Sequence, residues 1–227
     1  MKNLLFTSIL ISLFCCKGNS QQSLKSVIVA DKVISDKSYY VSEFDINENK
    51  FNNTNIQISN FNEINESYHS IKKKGDKLEL LLKNNKKVLF KDNDGVPYDE
   101  NRITYNLIND FKEINKYLIK VDEYEQTSYL LIDRDTGVTD SLAGAPFISP
   151  NQDFIFSSYY NQYEEPFPSQ EIYIHNYRNE QLKLIFKHSF SGYELVSFYW
   201  KNSNELNLKL IHNSKMFFKK FIIKEKE

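Results

Sequence analysis

The side chains whose types and spacing best suit chemistry are the carboxylates of two short acidic turns. Segment 133–137 (DRDTG) contains Asp133 and Asp135, and segment 92–95 (DNDG) has the same spacing. Carboxylate oxygens are the ligands that Ca²⁺ prefers, but neither segment has the spacing of an EF-hand loop. Because acidic residues beside glycine are also what tight hairpin turns require, we expect structural turns here, with a calcium site as the alternative.

Other groups that could act as nucleophiles, bases or metal ligands are scattered along the chain. No two of the four histidines have the spacing of a zinc motif. They are His69, His175, His188 and His212. Segment 189–192 (SFSG) is not a nucleophile elbow, and no glycine-rich phosphate loop occurs. We therefore predict no catalytic, cofactor-binding or metal-binding residues.

Dispersed carboxylates are the remaining route to catalysis, because active sites assemble from distant loops. Glu164, Glu165 and Asp153 are the candidates. The alternative function is accordingly an envelope hydrolase.

Segment 159–168 (YYNQYEEPFP) is the candidate recognition surface. Its aromatic side chains are Tyr159, Tyr160, Tyr163 and Phe167. A tyrosine combines an apolar ring with a polar hydroxyl, which suits it to contacts, and the two prolines resist strand pairing. The alternative is a surface loop whose rings pack back on the domain.

The N-terminal segment bears on the compartment in which the protein works, and it has the pattern of an export signal. Lys2 precedes an apolar run over 4–14, which is too short to span a bilayer. We therefore predict a signal peptide over residues 1–15, a polar linker over 16–26 and one domain over 27–227.

The end of this run resembles the lipobox of bacterial lipoproteins. With Cys16 as the modified residue, Leu13 and the small Cys15 occupy the −3 and −1 positions of that motif. The resemblance implies cleavage before Cys16 and covalent attachment of lipid to this cysteine. The lipid is a diacylglycerol in thioether linkage, together with an acyl chain such as palmitate. It also implies attachment to the cell envelope, facing the periplasm or the surface. Lys17, where some inner-membrane lipoproteins have aspartate, favours the outer membrane. An ordinary cleaved signal peptide is the alternative.

Composition predicts one globular domain that holds together by burial alone. The formal net charge of the 227-residue chain is −1, so no electrostatic attraction to nucleic acid is expected. No cysteine follows Cys16, which excludes a disulfide within the domain. Seventeen Phe and fifteen Tyr can supply large buried areas.

Short β-like runs, each preceded by a polar turn, recur along the chain. They begin at Tyr39, Leu78, Tyr117, Phe154 and Leu206, at spacings of 39, 39, 37 and 52 residues. A period of roughly 40 to 50 residues is typical of β-propeller blades. The pattern predicts an all-β fold of about five blade-like units.

The fourth unit, segment 144–156 (GAPFISPNQDFIF), resembles the G-x-P-x-[FW]-S-P-D-G-x-x-I-x-[FY] signature of TolB-type, WD40-like β-propeller repeats. Asn151-Gln152 replaces Asp-Gly, so the tight turn is less strongly encoded. The resemblance is specific from Gly144 to Leu208 and implies a propeller-like fold.

Two further features concern the ends and the middle of the fold. Leu107, Phe111 and Ile114 fall at helical spacing, so a short helix over 105–115 in a β-sandwich or α+β domain is the alternative architecture.

Val27 to Val29 could supply an N-terminal strand that completes the C-terminal unit.

These observations favour a lipid-anchored envelope protein whose domain binds another protein or an envelope polymer, without evident catalysis. Besides the hydrolase, a purely structural lipoprotein that spaces envelope layers is the other alternative. Propellers support binding and catalysis alike, so the fold does not choose among these functions.

Overall fold

A computed structural model describes residues 25–26, 39–52, 73–95, 100–124, 126–178 and 181–226. Cys16, the rest of the segment 1–24, and Val27 to Val29 lie outside the described residues.

Most of the described chain is β-strand, and the strands form four antiparallel sheets. The first sheet pairs β3 (Lys77–Leu81) with β4 (Lys87–Lys91). The second contains, in order, β5 (Ile103–Phe111), β6 (Lys116–Glu123), β7 (Thr127–Asp133) and β8 (Thr139–Leu142). The third contains β9 (Phe147–Ile148), β10 (Phe154–Asn161), β11 (Ser169–Arg178) and β12 (Gln181–Ser191), in the order β12-β11-β10-β9.

The fourth sheet combines the two ends of the described chain. Its C-terminal strands are β13 (Glu194–Asn202), β14 (Glu205–His212) and β15 (Lys215–Glu225). β15 then pairs with β2 (Tyr39–Ile46), which pairs with the short β1 (Lys25–Ser26). A short helix, α1 (Glu48–Asn52), follows β2, and a 3₁₀ turn (Lys112–Ile114) follows β5.

Each sheet packs on the next through a separate apolar cluster. Leu78 and Leu80 of the first sheet meet Tyr117 and Ile119 of the second. The second and third sheets, and then the third and fourth, pack through clusters of their own. The described sheets thus pack as a series from the first to the fourth, and no apolar cluster of the described residues joins the first sheet to the fourth.

Strands in the middle of this series are buried on both faces. On β6, Leu118 faces the third sheet while Ile119 faces the first. On β10, Phe156 faces the fourth sheet while Ile155 faces the second. Since alternate side chains of a strand point to opposite faces, these positions require the continuous apolar runs that the sequence repeats display.

Each predicted repeat start lies on a strand, but the residues that the structure describes form four sheets rather than five units. Tyr117, Phe154 and Leu206 lie on the second strand of the second, third and fourth sheets. Leu78 lies on β3 of the first sheet. The unit that begins at Tyr39 is not separate, because β2 joins β15 in the sheet that also contains Leu206.

The helix considered for 105–115 is wrong over most of its length. Residues 103–111 form β5, and only 112–114 make a 3₁₀ turn. The pairing of β5 with β6 shifts register between Leu107 and Asn109. This bulge inserts one residue into the period-two pattern, which explains why the apolar spacing looked helical.

The 144–156 motif has a clear structural basis. A Cβ on Gly144 would lie 1.8 Å from the Ser158 carbonyl oxygen, so only glycine fits there. Gln152, at the position of the signature's glycine, has φ +64°. Ser149 Oγ accepts a hydrogen bond from the Phe154 amide at 3.0 Å. This bond helps to hold the turn even though Gln152 occupies a left-handed position that glycine would adopt more easily.

Candidate functional site

The candidate recognition segment, residues 159–168, consists of the last three residues of β10 and the connection that leads to β11. We call this whole segment the recognition loop, and it is open to solvent. Tyr160, Tyr163 and Phe167 are 45%, 64% and 61% exposed, so these three rings do not pack back on the domain. Tyr159, at the end of β10, is half-buried. The loop contains a cis peptide bond between Glu165 and Pro166.

A first cavity of about 540 Å³ opens on one side of this loop, between the second and third sheets. The loop and the end of β10 contribute Tyr159 and Tyr163. The second sheet contributes residues at the start of β5 and in the turn after β6. They are Glu100, Asn101, Arg102, Ile103, Glu123, Tyr124 and Gln126.

A second cavity of about 550 Å³ opens on the other side of the loop, between the third and fourth sheets. Tyr160, Phe167 and Pro168 line it from the loop. The β12–β13 and β14–β15 turns complete its wall. Their lining residues are Gly192, Tyr193, Glu194, Ile211, His212, Asn213 and Ser214. One loop therefore presents aromatic side chains to two cavities.

Buried hydrogen bonds fix the base of the loop. The Gln170 side chain, only 4% exposed, donates to the Tyr159 carbonyl at 3.0 Å and accepts from the Leu195 amide at 3.0 Å. It thereby links the third sheet to the fourth directly beneath the loop. Ser169 Oγ donates to the Glu164 carboxylate.

The wall of the second cavity is built around His212. Its Nδ1 lies 2.6 Å from the Gly192 carbonyl oxygen, and its ring stacks on Tyr193 with centroids 4.6 Å apart. Gly192 has φ +76°, and a Cβ there would lie 2.9 Å from the imidazole. The glycine therefore allows this turn and ring to pack together.

The carboxylates proposed for hydrolysis do not form one group. Asp153 precedes β10, whereas Glu164 and Glu165 follow its far end. Eight residues of strand at roughly 3.3 Å each separate them by about 26 Å. Asp153 and the glutamates therefore cannot act on the same bond.

Carboxylates of both acidic turns form ion pairs with lysine side chains of the protein. Asp133, 3% exposed, lies 3.3 Å from the ammonium of Lys116, which is 1% exposed. Burial acts to raise the pKa of Asp133, but hydrogen bonds from Thr136 and Asp135 and the charge of Lys116 together hold it below its usual range. Asp135 pairs with Lys83 at 3.1 Å.

In the other turn, Asp92 lies 2.5 Å from Lys73 and accepts a hydrogen bond from the Tyr105 amide at 2.9 Å. Within the part of the chain that the structure describes, no group of three or more His, Cys, Asp or Glu side chains is placed to share a metal ion.

The histidines remain dispersed. His69 lies outside the described residues. Burial lowers the pKa of His175 to about 4, and burial also lowers the pKa of His188. His212 is the histidine that lines a cavity.

Comparison with known proteins gives no family. No protein-family model matches the chain, and no curated protein is significantly similar to it in sequence. No helix among the described residues has the length and apolar character to cross a bilayer.

Sequence reasoning identified the aromatic loop but missed most of its surroundings. Arg102, Tyr124 and Tyr193 lie outside the strands, at positions distant from the loop in the chain. Gln170 closely follows the loop, on β11. No local motif marks them, because the sheet packing alone brings them together. The high tyrosine content was the only available signal.

Proposed function

We propose that this protein is a lipid-anchored envelope protein that binds a partner through the loop between β10 and β11. The observation that carries the binding function is the exposure of three aromatic rings on a loop flanked by two cavities. Exposed aromatic side chains beside concave surfaces are typical of recognition sites, because a ring contributes a large contact area with little loss of conformational freedom.

The anchoring half of the proposal is supported by the lipobox-like segment that ends at Cys16. A diacylglycerol and a further acyl chain on this cysteine would attach the domain to a membrane, with the outer membrane favoured by Lys17. The segment between Cys16 and β2 would then connect the lipid to the fourth sheet.

The arrangement of sheets also supports a propeller-like reading of the fold. The second and third sheets each contain four sequentially connected antiparallel strands, and the fourth contains three such strands, β13 to β15, extended by β2 and the short β1. We propose that these sheets correspond to blades and that the two-stranded first sheet is an incomplete one. The binding loop would then project from one end of the blade array.

Anchoring is tested by the intact mass of the N-terminal peptide from membrane-purified protein. The expected result is a peptide beginning at Cys16 with added acyl mass. A Cys16→Ser variant should lose this mass and leave the membrane fraction. An unmodified N-terminus beyond Cys16 would contradict the anchor.

Binding is tested in cells with a photo-cross-linking amino acid at Tyr163, and with the same group at Tyr40 as control. Tyr40 is also exposed, at 40%, but lies on β2. The expected result is a discrete or polymer-sized adduct from position 163 alone. Equal adducts from both positions, or none from 163, would contradict the role of the loop.

A further inference from the structure

We infer that the first cavity binds an uncharged oligosaccharide segment of an envelope polymer. The inference rests on the proposed function, because it names the class of ligand for one side of the same loop. Its argument depends on the chemistry, charge and geometry of the cavity wall.

The wall combines aromatic faces with planar polar groups. Tyr124, Tyr159 and Tyr163 supply three rings. A sugar ring has an apolar C–H face that can lie on an aromatic ring, while its edge carries hydroxyl groups. The hydroxyls need both donors and acceptors. Gln126 Nε2 donates to one oxygen of the Glu123 carboxylate at 2.6 Å. The second amide proton and the carbonyl oxygen of Gln126, and the other carboxylate oxygen of Glu123, can provide these donors and acceptors.

Charge in the cavity opposes an anionic ligand. Glu100 and Glu123 contribute two carboxylates, and Arg102 the single cation among the residues that line it. A phosphate chain would therefore meet more negative than positive charge. A neutral polyol meets no such repulsion and can use carboxylate and guanidinium groups alike as hydrogen-bonding partners.

Backbone pairing opposes an extended peptide as the occupant. The edge of β5 nearest the cavity begins at Ile103, whose amide and carbonyl are both bonded to Asn93, at 3.0 and 2.9 Å. The added strand of a peptide would find these groups already used. Ile103 is also the only aliphatic side chain among the lining residues, so the wall lacks an apolar pocket for peptide side chains.

The size and spread of the cavity suit a short sugar chain. Its volume of about 540 Å³ falls within the ordinary range of ligand sites. Tyr124 comes from the second sheet, and Tyr159 and Tyr163 come from the third. The rings therefore border the cavity from two sides, as a ligand of several linked units requires.

The test is calorimetric titration of the full-length protein, purified in detergent, with chitotetraose, cellotetraose and maltotetraose. A tetralysine peptide is titrated in parallel as the competing class of ligand, because its positive charges are complementary to the Glu100 and Glu123 carboxylates of the cavity. Tyr163→Ala and Tyr124→Ala remove rings of the cavity. Tyr40→Ala is the matched control, because it removes an exposed tyrosine that lies on β2, away from the loop and the cavity.

We expect at least one tetrasaccharide to bind. Tyr163→Ala and Tyr124→Ala should each weaken this binding about tenfold, equivalent to about 1.4 kcal/mol, while Tyr40→Ala leaves it unchanged. Absence of binding by all three sugars, binding of tetralysine alone, or an equal loss of binding in Tyr40→Ala would overturn the inference. If cross-linking at Tyr163 still succeeds in that case, the proposed function stands with a different ligand; if it also fails, both fall.

Discussion

His175 is a partly buried titratable side chain that should make stability depend on pH. It lies on β11, its Nδ1 has no hydrogen-bond partner among the described residues, and burial lowers its pKa from 6.5 to about 4. The unfolded chain therefore binds a proton more readily than the folded one between these values. Stability from this residue is complete above about pH 6.5 and is lost as the pH falls toward about 4.

We expect acidification from about pH 7.5 to about pH 5 to remove about 2 kcal/mol of stability through His175. Urea unfolding at both pH values measures this loss, and a His175→Leu variant should show a smaller decrease by that amount. His188, whose pKa burial also lowers, remains in both proteins and cancels in the comparison. An identical decrease in both proteins would contradict the assignment.

At the scale of single elements, the turn that carries Gly144 should tolerate no side chain. The position where a Cβ would form lies 1.8 Å from the Ser158 carbonyl oxygen on β10, so the backbone must move to make room. We expect Gly144→Ala to cost about 3 kcal/mol in urea unfolding, the upper range for overpacking.

Gly75 offers the matched control for this substitution. It has φ +61°, but a Cβ there meets nothing within 4 Å. Gly75→Ala should therefore cost only the left-handed backbone strain of about 1 kcal/mol. Gly144 does not have a left-handed φ, so equal costs at both positions would contradict the close approach to Ser158 as the reason for the glycine in the motif.

The same elements show what local sequence can and cannot predict. The strands that begin near Leu78, Tyr117, Phe154 and Leu206 were predictable for two reasons. Burial on both faces gives β6 and β10 continuous apolar runs, whereas β3 and β14 alternate leucine with polar residues, as strands with one apolar face do. β5 was ambiguous, since its bulge at Leu107–Asn109 breaks the period-two pattern. The exposed aromatic loop was predictable from composition, but its cavities were not, because packing between sheets creates them.

For the whole molecule, the pairing of β2 with β15 should govern cooperative unfolding. Val41, 4% exposed, packs in the cluster between the third and fourth sheets, while its neighbour Tyr40 points to solvent. Trp200, the only tryptophan, belongs to the same cluster, and its indole donates to the Phe147 carbonyl at 3.1 Å. Its fluorescence therefore reports on this interface.

We expect Val41→Asp to cost more than about 3 kcal/mol, because an unpaired carboxylate enters an apolar cluster. Tyr40→Asp adds the same charge on the exposed face and should change the midpoint of thermal unfolding by little. Trp200 fluorescence during heating measures both. Similar midpoints for the two variants would mean that β2 is dispensable to this interface.

The all-β architecture with repeating units was predictable from the sequence, but the number of units was not. Adjacent repeats along a chain suggest adjacent sheets, whereas β2 and β15 are separated in sequence and meet only in space. Pairing across such a distance leaves no local pattern, so the unit at Tyr39 looked like a fifth sheet.

This pairing has a consequence for biosynthesis. Tyr39 lies opposite Glu225, a sequence separation of 225 − 39 = 186 residues. During translation or export, the first three sheets can assemble in the order in which they emerge, while β2 must wait for the final strand. A polypeptide interrupted before Lys215 would leave β2 with an unpaired edge, which is a feature that proteases and aggregation both exploit. The fold thus makes completion of the fourth sheet depend on a nearly full-length product.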